Sequence, residues 1–495
     1  MLNSWVFRVA LLLGAVTFIT PNNPIQTVIA FSIIGYVVTV SIIPRLGPSF
    51  INIGLKGKDL SKPPPVSEIP ETMGLVAALT YMFLMFGLIP FIFFKYLVSF
   101  ASMSDDAVVA SNYIDQYLAL ADNRLFPHNK LAEFLSAVLC LQSTIILGFL
   151  DDLFDIRWRH KFFIPAVTSL PLLIVYYVDF SVTSVVIPKF VVDLPGGYLV
   201  INLVNYIIKY GNHLVTLITG LSFRTLQTDY VVPDYTPKLL DLGIFYYGYM
   251  SAISIFAPNS INILAGINGL EVGQSLVLAI IFLINDFCYL SSQNISQAAH
   301  DSHLLSVIFI VPFVGVSLAL FQYNWFPARV FVGDTYCYFS GMVFASVGIL
   351  GHFSKTLLIF LLPQIINFIY SIPQLFNIVP CPRHRLPKFE KEDGLMYPSY
   401  GELKNNNKIA SVSLSILETF KLVKLQRDKS TGTITKFSNL TIINLFLVWF
   451  GPLREDRLCI LILSIQFSIG VLMLAVRHTV GPWLFGYDNL SWGVK

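Results

Sequence analysis

Five stretches of the chain carry residues whose types and spacing could do chemistry. NSINILAGINGLEVGQ, Asn259 to Gln274, offers uncharged oxygen and nitrogen donors at Asn259, Asn262 and Asn268, and glycines at 266, 269 and 273 that let backbone approach a ligand. ILGFLDDLFDIRWRHKFF sets the adjacent acids Asp151 and Asp152 at the end of an apolar run, with Asp155 one turn on and Arg157, Arg159, His160 and Lys161 close behind. Adjacent carboxylates repel each other and resist dehydration, so they call for a cation, whereas Lys161 suits a phosphate. ARVFVGDTYCYF puts Asp334 after Gly333 at the start of another apolar run, and CPRHRLPKF holds Arg383, His384 and Arg385 between prolines as donors suited to a diphosphate or a base edge. The fifth, GKDLSKPPPVSEIPETMG, is a basic, proline-rich loop ending near Glu71. Each alone has a plain alternative: a polar hairpin, a solvated helix end, an N-cap at Asp334, or topogenic charge.

These stretches are positioned by apolar segments. Of 495 residues 55% are hydrophobic and 12% charged, and the mean hydropathy is +0.69, which places the chain in the integral membrane class. The fold class expected is an all-α polytopic membrane protein of about ten transmembrane helices, over about 25–43, 72–95, 131–150, 162–179, 240–257, 272–290, 304–322, 335–350, 355–378 and 457–476. A small cytosolic α/β subdomain between the last two completes it. The chain divides into an N-terminal hydrophobic segment (1–24), a multi-span catalytic region (25–379), the subdomain (380–455), and a last helix with its tail (456–495). A net charge of +3 does not argue for nucleic acid. The five cysteines show neither a disulfide framework nor a CxxC metal site.

Lys and Arg near the span ends assign 44–70, 151–161, 258–271, 323–334 and 380–455 to the cytosol. The other side takes 97–130, 180–239, 291–303 and the C-terminal tail, with sequons at Asn294 and Asn489. Within 180–239, LVINLVNYIIKY reads as an interfacial helix rather than a span. The polar clusters therefore share one face. Acids with amides suit Mg2+, which takes few protein ligands and leaves positions for phosphates. Arg and Lys imply phosphates, and the bilayer implies a lipid. Phosphoryl-type transfer from a soluble diphosphate donor to a lipid acceptor follows. A multi-span transporter is the alternative, but no pair of half-chain repeats is evident, and the CDP-alcohol phosphotransferase pattern is absent.

GLKGKDLSKP, PETMG, LGFLDDLFDIRWRHK, NSINILAGINGLEVGQ, FVGDTYCYFSGMVFA, VGILGHFSKT and CPRHRLPKF together resemble the eukaryotic UDP-N-acetylglucosamine:dolichyl-phosphate N-acetylglucosaminephosphotransferases. These tunicamycin-sensitive enzymes of glycosyltransferase family 4 begin the lipid-linked oligosaccharide of N-glycosylation. The resemblance runs from about residue 25 to the last span. It implies an endoplasmic reticulum membrane protein with a cytosol-facing site, Mg2+ on Asn262 and Asp334, and catalytic roles for Asp151, Asp152 and Lys161. It implies UDP-GlcNAc contacts at Lys58, Asp59, Leu60, Glu71, Asn268, Phe331, Arg383, His384 and Arg385. Dolichyl phosphate is expected at Lys161 and at Ile255, Phe256, Ala257, Pro258, Asn259, Ser260, Ile261, Asn262 and Ile263. A second copy and cytosolic glycosyltransferases are the protein partners it suggests, and a related transferase of another UDP-sugar is the neighbouring reading. The acceptor is already a phosphate monoester, so the acidic pair is expected to position charge rather than remove a proton. The runs at 5–20 and 193–239 are longer than the family pattern.

Overall fold

The computed structural model describes residues 3–20, 23–59, 67–94, 127–180, 182–220, 239–292, 295–382, 385–403, 408–428 and 432–485. Leu60, Arg383, His384 and both sequons at 294 and 489 lie outside the described residues.

Helices α1 (Asn3–Phe18) and α2 (Pro24–Asn52) precede a short hairpin, β1 (Lys56–Lys58) with β2 (Glu68–Pro70). There follow α3 (Gly74–Ile92), α4 (His128–Phe154), a broken run of α5 (Trp158–Lys161), α6 (Ile164–Thr168) and α7 (Leu170–Asp179), then β3 (Ser184–Val186), α8 (Lys189–Asp193), α9 (Gly197–Thr219) and β4 (Leu239–Asp241), which pairs with β3. Next come α10 (Ile244–Ile263), α11 (Leu270–Leu290), α12 (Gln297–Asn324) and α13 (Gly333–Leu350). The pair α14 (Ser354–Phe360) and α15 (Leu362–Leu375) is bent by 68°. Beyond it stand β5 (Lys388–Phe389), β6 (Met396–Tyr397), β7 (Tyr400–Glu402), α16 (Lys408–Thr419), β8 (Leu425–Arg427), β9 (Ile434–Ser438), α17 (Ile442–Phe450) and the long α18 (Glu455–Phe485).

The chain is thus a mostly helical, polytopic membrane protein. Among the described residues six helices are long and apolar enough to cross a membrane, and the bent pair makes a seventh. The three other expected spans are helical without meeting that measure: 162–179 is broken at Ser169, and α10 and α13 carry more polar and small residues. The reason is clearest in α13, where every residue from Thr335 to Leu350 is buried. A helix walled by α3, α4 and α10 meets no lipid, so small and hydroxyl side chains serve it as well as leucine. It is the axis of the bundle.

Close approach to that axis depends on Gly148 in α4, where a Cβ would lie 2.7 Å from the Thr335 Cα. Proline inside α2 is tolerated for a traceable reason: Pro44 leaves the Val40 carbonyl without its helical donor, and the Tyr323 hydroxyl supplies one at 2.9 Å. Strands β7, β9 and β8 form an antiparallel sheet in that order beside a small core of Val379, Ala410, Leu414, Val423, Phe437 and Leu440, to which α16 contributes Ala410 and Leu414.

The close approach sets a test. Gly148→Ala is expected to cost about 1–3 kcal/mol, because backbone cannot move aside for the new methyl. Gly248→Ala, also within a helix but with open space around it, is expected to be neutral or to stabilise by up to ~1 kcal/mol. Thermal unfolding of the two purified variants decides; equal melting temperatures would remove Gly148 from the packing account.

Candidate active site

At one end of the bundle the ends of α4, α5, α10 and α13 converge. Asp151 and Asp152 close α4, yet they do different work. Asp152 reaches across to the first turn of α13: its Oδ1 accepts the Asp334 backbone N–H at 2.6 Å, and its Oδ2 accepts the Thr335 N–H at 3.2 Å and the Thr335 hydroxyl at 2.5 Å. The N–H groups of a helix's first turn need acceptors from outside it, and α13 takes them from α4. Gly333, at φ +75°, makes the turn, and a Cβ there would run into the Asp152 carboxylate.

Asp151 is buried. Its Oδ1 accepts the Ile156 N–H at 3.1 Å, and its Oδ2 accepts from Lys161 Nζ at 2.7 Å. The same ammonium donates to Asp334 Oδ2 at 2.7 Å, so Lys161 bridges α4 and α13. Burial alone would favour the neutral amine, but Asp334 and Asp151 outweigh it and hold the Lys161 pKa above its usual value. Lys161 therefore carries its charge. The turn bearing it is held by Asn259, whose Nδ2 donates to the Phe162 carbonyl at 3.2 Å and to Ile255 at 2.8 Å.

Asn262, one turn beyond Asn259 on α10, lines the same cavity as Asp334, and its side chain helps to hold the Asp334 carboxyl below its usual range. The two residues expected to hold a metal are therefore neighbours. Swapping the amide's oxygen and nitrogen puts a second hard oxygen beside the Asp334 carboxylate. Among the described residues no group of three or more His, Cys, Asp or Glu side chains is arranged to hold a metal. A two-ligand set of one carboxylate and one amide fits Mg2+, which keeps its other positions for water and phosphate oxygens.

Two cavities open here. One, of about 300 Å³, is lined by Lys58, Asp59, Glu71, Asn268, Phe331, Asn262 and Asp334. The other, of about 320 Å³, is lined by Lys161, Asn259, Asn262, Ile263 and Arg385. They share Asn262, Ala265 and Leu386 as a common wall. Burial, with Asp334 adding to it, holds the Glu71 carboxyl above its ordinary range. Arg385 is half-buried, which lowers its pKa, and its Nη1 has no hydrogen-bond partner among the described residues. An unanswered guanidinium in a cavity favours an anionic guest.

Of the positions expected to meet the donor, those that are described divide: Arg385 lines the second cavity and Lys58, Asp59, Glu71, Asn268 and Phe331 the first. Within 255–263, Ala257, Ser260 and Ile261 are buried in the protein and Pro258 packs on Gly341, so Asn259, Asn262 and Ile263 are the members that face a cavity. Sequence reasoning passed over Glu455 and Asn324. Glu455 Oε1 accepts the Asn268 N–H at 2.7 Å, while Asn268 Nδ2 donates to Asp59 at 2.7 Å. Asn324 Oδ1 accepts the Gly269 N–H at 3.1 Å. Glu271, within the amide motif, accepts the Gly266 N–H at 3.0 Å. Only Glu271 had a local signal, as an acid inside a polar loop.

The Glycosyl transferase family 4 pattern matches residues 134–352, from α4 through the end of α13. The chain is 50% identical to the UDP-N-acetylglucosamine–dolichyl-phosphate N-acetylglucosaminephosphotransferase of Saccharomyces cerevisiae, over 99% of both chains. It is 43% identical to the protein of that name from Schizosaccharomyces pombe over 98% of both, and 35% identical to that of Dictyostelium discoideum over 92% of this chain and 91% of the relative. The chain belongs to this family. The matched pattern holds both acids, Lys161, the amide loop and Asp334, and leaves out Lys58, Asp59, Glu71 and Arg385.

Asp152→Asn leaves one acceptor oxygen for three donors and is expected to lower turnover by about 100-fold or more with donor KM little changed. Thr335→Val removes only the hydroxyl donor and is expected to cost roughly tenfold. UMP release by the purified variants measures both, and unchanged turnover in Asp152→Asn would refute the positioning role.

Proposed function

We propose that the chain transfers N-acetylglucosamine-1-phosphate from UDP-GlcNAc to dolichyl phosphate, giving GlcNAc-diphosphodolichol and UMP. The carrying observation is the common wall: a cavity lined by acids, an amide and an aromatic ring meets a cavity lined by Lys161 and Arg385 at Asn262, which shares the first cavity with Asp334. The full-length similarity to relatives bearing that enzyme name supports the same substrates. UDP-GlcNAc enters the first cavity and the lipid phosphate approaches Lys161. Two of the three ammonium protons of Lys161 are engaged by Asp151 and Asp334, which leaves one for a phosphate oxygen.

In the reaction an acceptor phosphate oxygen bonds to the sugar-bearing phosphorus, and that phosphorus releases UMP. The acceptor is largely dianionic at neutral pH, so no base is required. The main task is to bring two polyanions together. Mg2+ held by Asp334 and Asn262 would neutralise diphosphate charge. Asp151 and Asp152 act by placing Lys161 and the first turn of α13. We place the site on the cytosolic face of the endoplasmic reticulum membrane, with α10, α13 and the α6–α7 run bringing the crossings to about ten and 380–455 as a cytosolic subdomain. Cytosolic glycosyltransferases are the proposed users of the product.

Purified protein with dolichyl phosphate and Mg2+ is expected to release UMP from UDP-GlcNAc, to stop on chelation with EDTA, and to prefer UDP-GlcNAc over UDP-GalNAc. UMP release that persists with the metal chelated would remove Mg2+, and none with any UDP-sugar would favour the transporter reading.

A further inference from the structure

We propose that α9 is an in-plane membrane anchor whose free apolar face is sunk in the leaflet opposite the catalytic cavities. The inference stands apart from the proposed chemistry. The less exposed residues of helix α9 include one narrow stripe of Ile201, Asn205, Ile208 and Asn212, spaced at helical repeats, and the Asn212 end of it meets the bundle. Ile208 and Asn212 are buried there, and the Asn212 Oδ1 accepts the N–H of Ile244, the first residue of α10, at 2.9 Å. Gly211 lies against the Phe245 ring, where a Cβ would not fit.

The rest of the helix surface divides cleanly. At about 100° per residue, Leu203, Ile207 and Leu214 lie roughly 100–140° to one side of Ile208. They are 60%, 59% and 45% exposed. Asn202, Lys209 and His213 lie about as far to the other side and are exposed as well. A span would be apolar all round, and a helix in water would not leave that row of leucine and isoleucine uncovered. One wet arc beside one wide apolar arc suits a helix lying at a bilayer surface.

The location singles out the bilayer as the occupant. The docked stripe meets the start of α10, about 30 Å along that helix from the end bearing Asn262, so α9 sits at the opposite membrane boundary. Exposed Phe245 at the head of α10 lies against Gly211 of α9, and Phe190 in α8 and Leu194 just after it are exposed as well. The anchor thereby fixes the far end of the helix that carries Asn259 and Asn262.

The test uses the full chain in liposomes with the exposed native thiols removed by Cys288→Ser and Cys381→Ser. A bimane label is placed by Leu214→Cys or by Lys209→Cys, and quenched either by nitroxide-bearing phospholipid or by aqueous iodide. Lipid nitroxide is expected to quench the label at position 214 at least about threefold more than that at 209, with iodide showing the reverse order. Iodide reaching both positions equally would overturn the proposal. So would a label at 214 that neither quencher reaches, which would mean that protein, such as a second copy of the chain, covers the face.

Discussion

The site depends on one ammonium between two carboxylates. Lys161 donates to Asp151 and to Asp334 at 2.7 Å each, in surroundings that leave Asp151 almost without solvent. Without the cation, the ends of α4 and α13 would present like charges to each other in a poorly solvated space. With it, the two helix ends become a single unit. Asp152 completes the junction by supplying the acceptors that the first turn of α13 lacks. Both acids are thus engaged by donors, which suits residues that hold a geometry.

The bundle around this junction serves to keep it in place. A fully buried α13 fixes the height of Asp334, and the missing side chain of Gly148 lets α4 close upon it. Buried amides support the loop from the other side. Gln274 Nε2 donates to the carbonyls of Ile261 and Leu264 at the end of α10, Gln364 Nε2 donates to the Gln274 side-chain oxygen, and Gln466 Nε2 to its carbonyl. These bonds tie α11, α15 and α18 to the segment carrying Asn262. In low-dielectric surroundings each of these bonds counts for more than it would in water. The Arg385 carbonyl accepts from Asn444 Nδ2 at 2.8 Å, which fastens the basic motif to the start of α17.

The sequence revealed what residue type alone announces. Carboxylates and amides at the ends of apolar runs are conspicuous because such positions are expensive to leave polar, and Asn262, Asp334 and Lys161 were picked out that way. Helical segments were legible from run length at all ten places. What could not be read was how the runs pack: α13 is surrounded by protein rather than lipid, and the runs at 162–179 and 355–378 break where hydropathy stays continuous. Glu455 and Asn324 stayed hidden because their partners, Asn268 and Gly269, lie far off in sequence. A buried acid at the head of α18 looks like any helix start until the fold brings the amide loop against it. The separate tasks of Asp151 and Asp152 were likewise invisible, since adjacent residues on a helix point in directions about 100° apart.

The most direct test of the junction is the thermal stability of two variants. Lys161→Met strands the buried Asp151 charge and should cost about 3–5 kcal/mol. Adding Asp151→Asn removes that charge while keeping an oxygen for the Ile156 N–H. If Lys161 acts by answering Asp151, the double variant melts at a higher temperature than Lys161→Met alone. A further fall in melting temperature on adding Asp151→Asn would contradict the account.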